Sequence, residues 1–295
     1  MATSREYKDR LFSFIFGREE HKDWTLSLYN AVRGSHYTNP DDIQITTIRD
    51  VLYLGMHNDV SFIIANELSL YEQQSTYNPN MPIREFLYAA KLLEQYLAPK
   101  KMELYWKKLV RIPAPKLVVF YNGRENHPDE TLLKLSDAYP DGIEGDIEVK
   151  VRMLNINFGH SKKLFDACQP LREYTWLVEK IRDLTKITNL EEAVDRAINE
   201  MPNEFRLKTI LIQHKAEVKG MILTEYDEQE AMNSFREEGR QEGRQEGVQE
   251  GLVKGMIALI QQGAINAEVA ANNLQMTVEQ FWNRAIELNL IEHRL

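Results

Sequence analysis

The chain has 295 residues, 43% of them hydrophobic and 27% charged, with 36 basic against 45 acidic side chains and a net charge of −9. That balance suits a folded chain with one sizeable core and an appendage, and argues against disorder throughout and against a general coat for polyanions. The single Cys168 excludes an internal disulfide and a thiolate metal site, which points to a reducing compartment and a buried small side chain.

No apolar run reaches the roughly 18 residues a membrane span needs, and the start, "MATSREYKDRLF", lacks the apolar block of a signal peptide. The expectation is a cytoplasmic protein without a membrane partner. Residues 6 to 33 read as helical, with Leu11, Phe14, Ile15, Leu26, Leu28 and Val32 at mixed spacings of three and four. "PDDIQITTIRDVLYLGM" then supplies a Pro and Asp stop before β-branched extended residues, and "DVSFII" and "LSLYEQQ" follow as two further strands.

Residues 83 to 97 repeat apolar positions at Phe86, Leu87, Ala90, Leu93 and Leu97, a helix ended before Pro99. Between Lys100 and Lys116 lie six basic residues and one acidic, with Tyr105 and Trp106 among them. Such a segment suits phosphate contact and base stacking, and equally suits an edge strand protected by lysines.

"PKLVVFYNG" is almost wholly apolar and closes on an Asn-Gly turn, which predicts a strand covered on both faces. "GDIEVKVRMLNINF" alternates Ile147, Val149, Val151 and Met153 against charged neighbours, a further strand. Residues 161 to 232 carry helical signals, with Asn189 as a cap for "NLEEAVDRAINEM".

From residue 236 the composition changes, and glycine recurs at 239, 243, 247, 251 and 255. Five glycines cost about 1 kcal/mol each in a helix interior, so residues 236–255 read either as a flexible linker or as a helix whose glycine stripe admits a second chain. In the tail, 256–295, three short helices are expected. "AEVAANNL" and "TVEQFWNRAI", with Thr277 as cap, are similar to a helix-turn-helix. Arg284 is the one base in the second of these against Glu279 and Glu287, which favours a small packing module over a DNA reader.

The chemistry lies in the hairpin. If Ala65 and Asn66 form a two-residue turn, paired positions sum to 131, so Ile63 faces Leu68, Ser61 faces Leu70 and Asp59 faces Glu72. Side chains alternate, so all of these and Gln74 share one sheet face, apolar at one end and acidic at the other. Asp59 and Glu72 would then have β-carbons about 5 Å apart, a pairing of like charges that destabilises unless something offsets it. None of the neighbours on that face is cationic. A hard divalent cation held by carboxylate oxygens resolves the conflict; a solvated sheet rim, a shared proton or an arginine from elsewhere would also do so.

Asp59, then Glu72-Gln73-Gln74 on the next strand, then a helix, resembles the PD-(D/E)xK nuclease pattern. "NDVSFIIANE", "YEQQSTYNPNMPIREFLY", "IPAPKLVVFYNG" and "EEGRQEGRQEG" together resemble the recombination-promoting nuclease and transposase family of that superfamily, over roughly residues 6 to 255. The resemblance implies an α/β fold: a restriction-endonuclease-like α-β-β-β-α-β core, with a mixed sheet flanked by helices, over residues 1–235, followed by a C-terminal helical extension.

It also implies a metal-dependent endonuclease that hydrolyses DNA phosphodiester bonds. Mg2+ or Mn2+ would be held by Asp59, Glu72 and the main-chain carbonyl of Gln73, with Asp59, Glu72 and Gln74 as the catalytic set. Gln74 stands where the superfamily has lysine; an amide orients a water but supplies no charge, so a DNA-binding or oligomeric scaffold with an inactive site is the alternative. On this reading Arg84, ten residues past the strand, and Lys100, Lys101, Lys107, Lys108 and Arg111 of the basic segment become candidate DNA contacts, Glu6 is a candidate from the first helix, and the glycine stripe makes a homo-oligomer formed through the C-terminal segment a candidate assembly.

Overall fold

The computed structural model describes residues 7–46, 59–288 and 290–291. The chain divides into two compact units, Met1–Gln229 and Glu230–Leu295. In the first, the stretch expected as helix 6–33 is two helices, α1 (Tyr7–Phe16) and α2 (Lys22–Arg33), with a short helical turn at Glu19–His21 between them. Gly34 ends α2 at φ 66°, where glycine meets no Cβ clash, and its N–H bonds to the Asn30 carbonyl.

The first strand is described as β1 (Gln44–Ile45); the rest of the expected strand, residues 47–58, and Glu6 lie outside the described residues. There follow β2 (Val60–Ile64), β3 (Glu67–Gln74), α3 (Met81–Leu97), β4 (Ala114–Tyr121), β5 (Glu130–Lys134) and β6 (Lys150–Asn155). They form a six-stranded sheet in the order β1-β2-β3-β4-β6-β5. β1, β2 and β3 pair antiparallel, β3, β4 and β6 pair parallel, and β5 runs antiparallel to β6. This is an α/β protein with a mixed sheet flanked by helices.

β4 is central, and its apolar run is divided between two faces. Val118 and Phe120 join the larger core with α1, α2 and the helices that follow β6, whereas Val119 and Tyr121 join a smaller cluster with Met81, Val151 and Met153. The Lys100 to Lys116 segment is not an edge strand: it is a helical turn at Ala98–Tyr105 and a loop that lead into this inner strand.

Two strand details depart from the sequence reading. β6 begins at Lys150 and leaves Ile147 exposed. β5 has no clear signal in the sequence because only Leu133 of its five residues is buried, too little to show a period of two.

The face of α3 also differs. Of the expected stripe Phe86, Leu87, Ala90, Leu93 and Leu97, Leu93 packs partly on the sheet, whereas Phe86, Leu87 and Ala90 are exposed; the inward face is Met81, Pro82, Glu85, Tyr88, Ala89 and Leu92. Both stripes have helical spacing. The sheet selects the second because Leu68 and Leu70 pack on Tyr88, Ala89 and Leu92.

Helices α4 (Lys162–Ala167), α5 (Gln169–Leu184), α6 (Leu190–Glu200) and α7 (Arg206–Gln213) complete the larger core. The Asn189 side chain caps α6 by accepting from the Glu192 N–H. Cys168 is buried and free, and burial pushes its thiol up to about 11.

Helix α8 (Lys215–Gln261) begins in the first unit and ends in the second, so residues 236–255 are helical rather than an irregular linker, and the first expected tail helix is its end. A β-carbon at Gly247, Gly251 or Gly255 would meet nothing in the chain. In the second unit, α9 (Ala267–Asn273) and α10 (Val278–Glu287) pack with Val253 and Ile257 around Phe281 and Trp282. Thr277 caps α10 in a reciprocal box with Gln280. Among the described residues, no helix is long and apolar enough to cross a membrane.

Candidate functional site: a carboxylate pair under a helix

Ala65 and Asn66 both take positive φ, 50° and 61°, as a two-residue hairpin turn of the primed type demands. The resulting register pairs Ile63 with Leu68, Ser61 with Leu70 and Val60 with Tyr71. One step further, Asp59 stands opposite Glu72. The Asp59 N–H donates to Glu72 Oε1 at 3.1 Å, and the Gln73 N–H donates to Asp59 Oδ2 at 2.7 Å.

Each carboxylate is thus held by a main-chain donor from the other strand, which offsets part of the like-charge conflict and fixes both side chains. A strand residue directs its N–H and C=O to the same side. The Gln73 carbonyl therefore faces the Asp59 side of β3.

The end of α1 anchors the start of β2. Ser13 Oγ donates to the Asp59 carbonyl at 2.8 Å. Gly17, just past α1, permits this approach, because a β-carbon there would lie 3.3 Å from Val60 Cγ2 and 3.6 Å from the Asp59 carbonyl oxygen, besides 2.8 Å from the Ser13 carbonyl oxygen of α1 itself.

Above this sheet face runs α3. Tyr88, Ala89 and Leu92 cover Leu68 and Leu70, the apolar end, and the turn before them carries Arg84 and Glu85 over the acidic end. Arg84 donates to the Tyr88 hydroxyl at 3.2 Å and contacts Met81 Sδ at 3.3 Å. Burial works against the Arg84 charge, and Tyr88, Glu72 and Glu85 more than offset it. Burial, then the Glu72 charge, pushes the Tyr88 hydroxyl up to about 12.

Glu85 is the residue that sequence reasoning missed. It is 0% exposed, and neither carboxylate oxygen has a hydrogen-bond partner. Burial holds its carboxyl well above the usual range; the nearby Arg84 opposes this and the Asp59 charge adds to it. The available signal was spacing: position 85 falls on the stripe of Met81, Tyr88, Ala89 and Leu92.

Glu72, Gln73 and Gln74 are all buried. The side chain of Gln74 shares the face of Glu72, and its Oε1 has no partner; that of Gln73 points to the opposite face. Buried oxygens without donors beside two carboxylates suit a hard cation, which needs several oxygen ligands.

Of the expected DNA contacts, the fold brings Arg84 to the carboxylates and keeps the others apart. Lys100, Lys101, Lys107, Lys108 and Arg111 are exposed, and among the described residues none pairs with a carboxylate. They precede β4, which starts at Ala114 beside Glu67, whereas Glu72 pairs with Val119. Five strand residues, about 17 Å, separate those two levels.

Comparison of the chain with protein-family models, with curated proteins and with solved structures finds no match.

Proposed function

We propose that the protein is a Mg2+- or Mn2+-dependent DNA endonuclease of the PD-(D/E)xK kind, built on a restriction-endonuclease-like core. The observation that carries this reading is the pair Asp59 and Glu72, brought together at the end of the hairpin, each carboxylate accepting a main-chain N–H from the other side of it. The succession of a helix, the antiparallel β1, β2 and β3, the crossover α3 and the parallel β4 supports the same core.

Asp59, Glu72 and the Gln73 carbonyl would hold the cation. When bound, such an ion supplies Lewis acidity and a water acidic enough to attack a phosphodiester at neutral pH. The Gln74 amide orients that water without adding charge. Arg84, kept charged beside Glu72, binds a phosphate oxygen. The exposed Lys100, Lys101, Lys107, Lys108 and Arg111 contact the DNA backbone away from the scissile bond.

Gln74 also favours a second reading, a DNA-binding scaffold that does not hydrolyse, because its amide stands where the superfamily has an ammonium. Incubation of the full chain with supercoiled plasmid and Mg2+ separates the two. Nicking that Asp59→Ala and Glu72→Ala each abolish is the expected result; plasmid binding without nicking in the native protein refutes the enzyme and leaves the scaffold.

A further inference from the structure

We propose that Glu85 is a third carboxylate ligand of the divalent-cation site at Asp59 and Glu72, an inference that rests on the cation reading of that pair. The placement follows from packing. β3 and β4 are parallel, so the intervening α3 returns antiparallel to β3 across the sheet face of Leu68, Leu70 and Glu72. Moving from Leu70 to Glu72 advances about 6.6 Å along the strand, and moving from Tyr88 or Ala89 back to Glu85 advances about 4.5 to 6 Å along the helix. Glu85 therefore stands over the acidic end of the hairpin, within the electrostatic reach of Asp59.

Packing alone does not call for an acid there. A leucine would extend the buried stripe of Tyr88, Ala89 and Leu92, whereas a fully buried carboxyl with both oxygens unpartnered is costly. A ligand that accepts those oxygens removes the cost. Gln74 Oε1, buried and unpartnered on the same side, is a second oxygen in the same condition.

Carboxylate and amide oxygens without nitrogen or sulfur donors select a hard divalent cation of the Mg2+ or Mn2+ class. Among the described residues the acids do not converge as a group of three. The three side-chain torsions of Glu85 allow its carboxylate to swing onto a cation without backbone movement.

The test uses the full chain stripped with chelator and titrated with Mn2+ alone, followed by calorimetry and by the electron paramagnetic resonance signal of free Mn2+. The native protein binds Mn2+, Asp59→Asn loses most of that affinity, and Glu85→Gln weakens it about tenfold or more. Glu85→Asp falls between. Thermal melts exclude misfolding: Glu85→Gln without Mn2+ melts no lower than the native chain, yet gains less from added Mn2+. Native Mn2+ affinity in Glu85→Gln, alongside its loss in Asp59→Asn, overturns the role of Glu85 and leaves the cation site standing. No Mn2+ binding by the native chain overturns both.

Discussion

Replacing Glu85 by leucine tests whether the site holds a destabilising buried acid when no cation is present. Both carboxyl oxygens of Glu85 are buried without a hydrogen-bond partner, which costs about 1–3 kcal/mol of desolvation for the neutral group. Leucine extends the apolar stripe of Tyr88 and Leu92, while Arg84 loses one of its compensating neighbours but keeps Glu72 and Tyr88. The net expectation in chelator near pH 4.5, where the buried group is neutral, is a gain of about 1–3 kcal/mol, or roughly 2–10 °C in melting temperature for a unit of this size, and the gain is larger at pH 7.

The pH dependence carries a definite sign. The folded Glu85 carboxyl titrates above its unfolded value of 4.5, so between the two values the folded state holds a proton that the unfolded state has released. Stability from this group is complete below about 4.5 and falls as pH rises toward the folded value, at about 1.4 kcal/mol per pH unit. Leucine removes that slope, so its advantage is smallest near pH 4.5 and grows with pH. Urea denaturation of both proteins across pH 4.5 to about 7 measures it. A variant less stable at pH 7, or an advantage independent of pH, refutes the placement of Glu85 as an unpartnered buried acid.

If the protein is the proposed nuclease, Gln74→Lys places an ammonium at the end of β3 and is expected to raise the plasmid nicking rate about tenfold or more; an unchanged rate means that this position does not meet the reacting phosphate. Serine at Lys100, Lys101, Lys107, Lys108 and Arg111 together should lower the salt dependence of DNA binding, by about 0.9 in logarithmic slope for each phosphate that is no longer neutralised. Filter binding across a range of NaCl concentrations reads that slope, and one equal to the native value removes these residues from the interface. Gly17→Ala places a β-carbon against the Ser13 carbonyl and Val60, and a main-chain oxygen cannot yield as a side-chain tip would. Destabilisation by about 1–3 kcal/mol in urea denaturation is expected, and native stability would show that the turn after α1 does not hold residue 17 so close to the Ser13 carbonyl.

The sequence by itself determined the hairpin. A two-residue turn at Ala65 and Asn66 admits one register, and the period of two along a strand then dictates that Glu72 and Gln74 share a face with Leu68 and Leu70, with Asp59 just ahead of β2 beside Glu72. The central place of β4 and the caps at Asn189 and Thr277 were equally local, since each depends on a few adjacent side chains.

Tertiary structure alone decided the inward face of α3. Two apolar stripes of equal spacing competed, and contact with Leu68 and Leu70 chose the one that buries Glu85. It also decided that Arg84 joins the carboxylates, that the Lys100 to Arg111 segment sits at the other end of β4, and that a weakly patterned β5 pairs with β6. Side-chain periodicity is set by bonds within one element, whereas burial of a particular face is set by what a distant part of the chain presents to it.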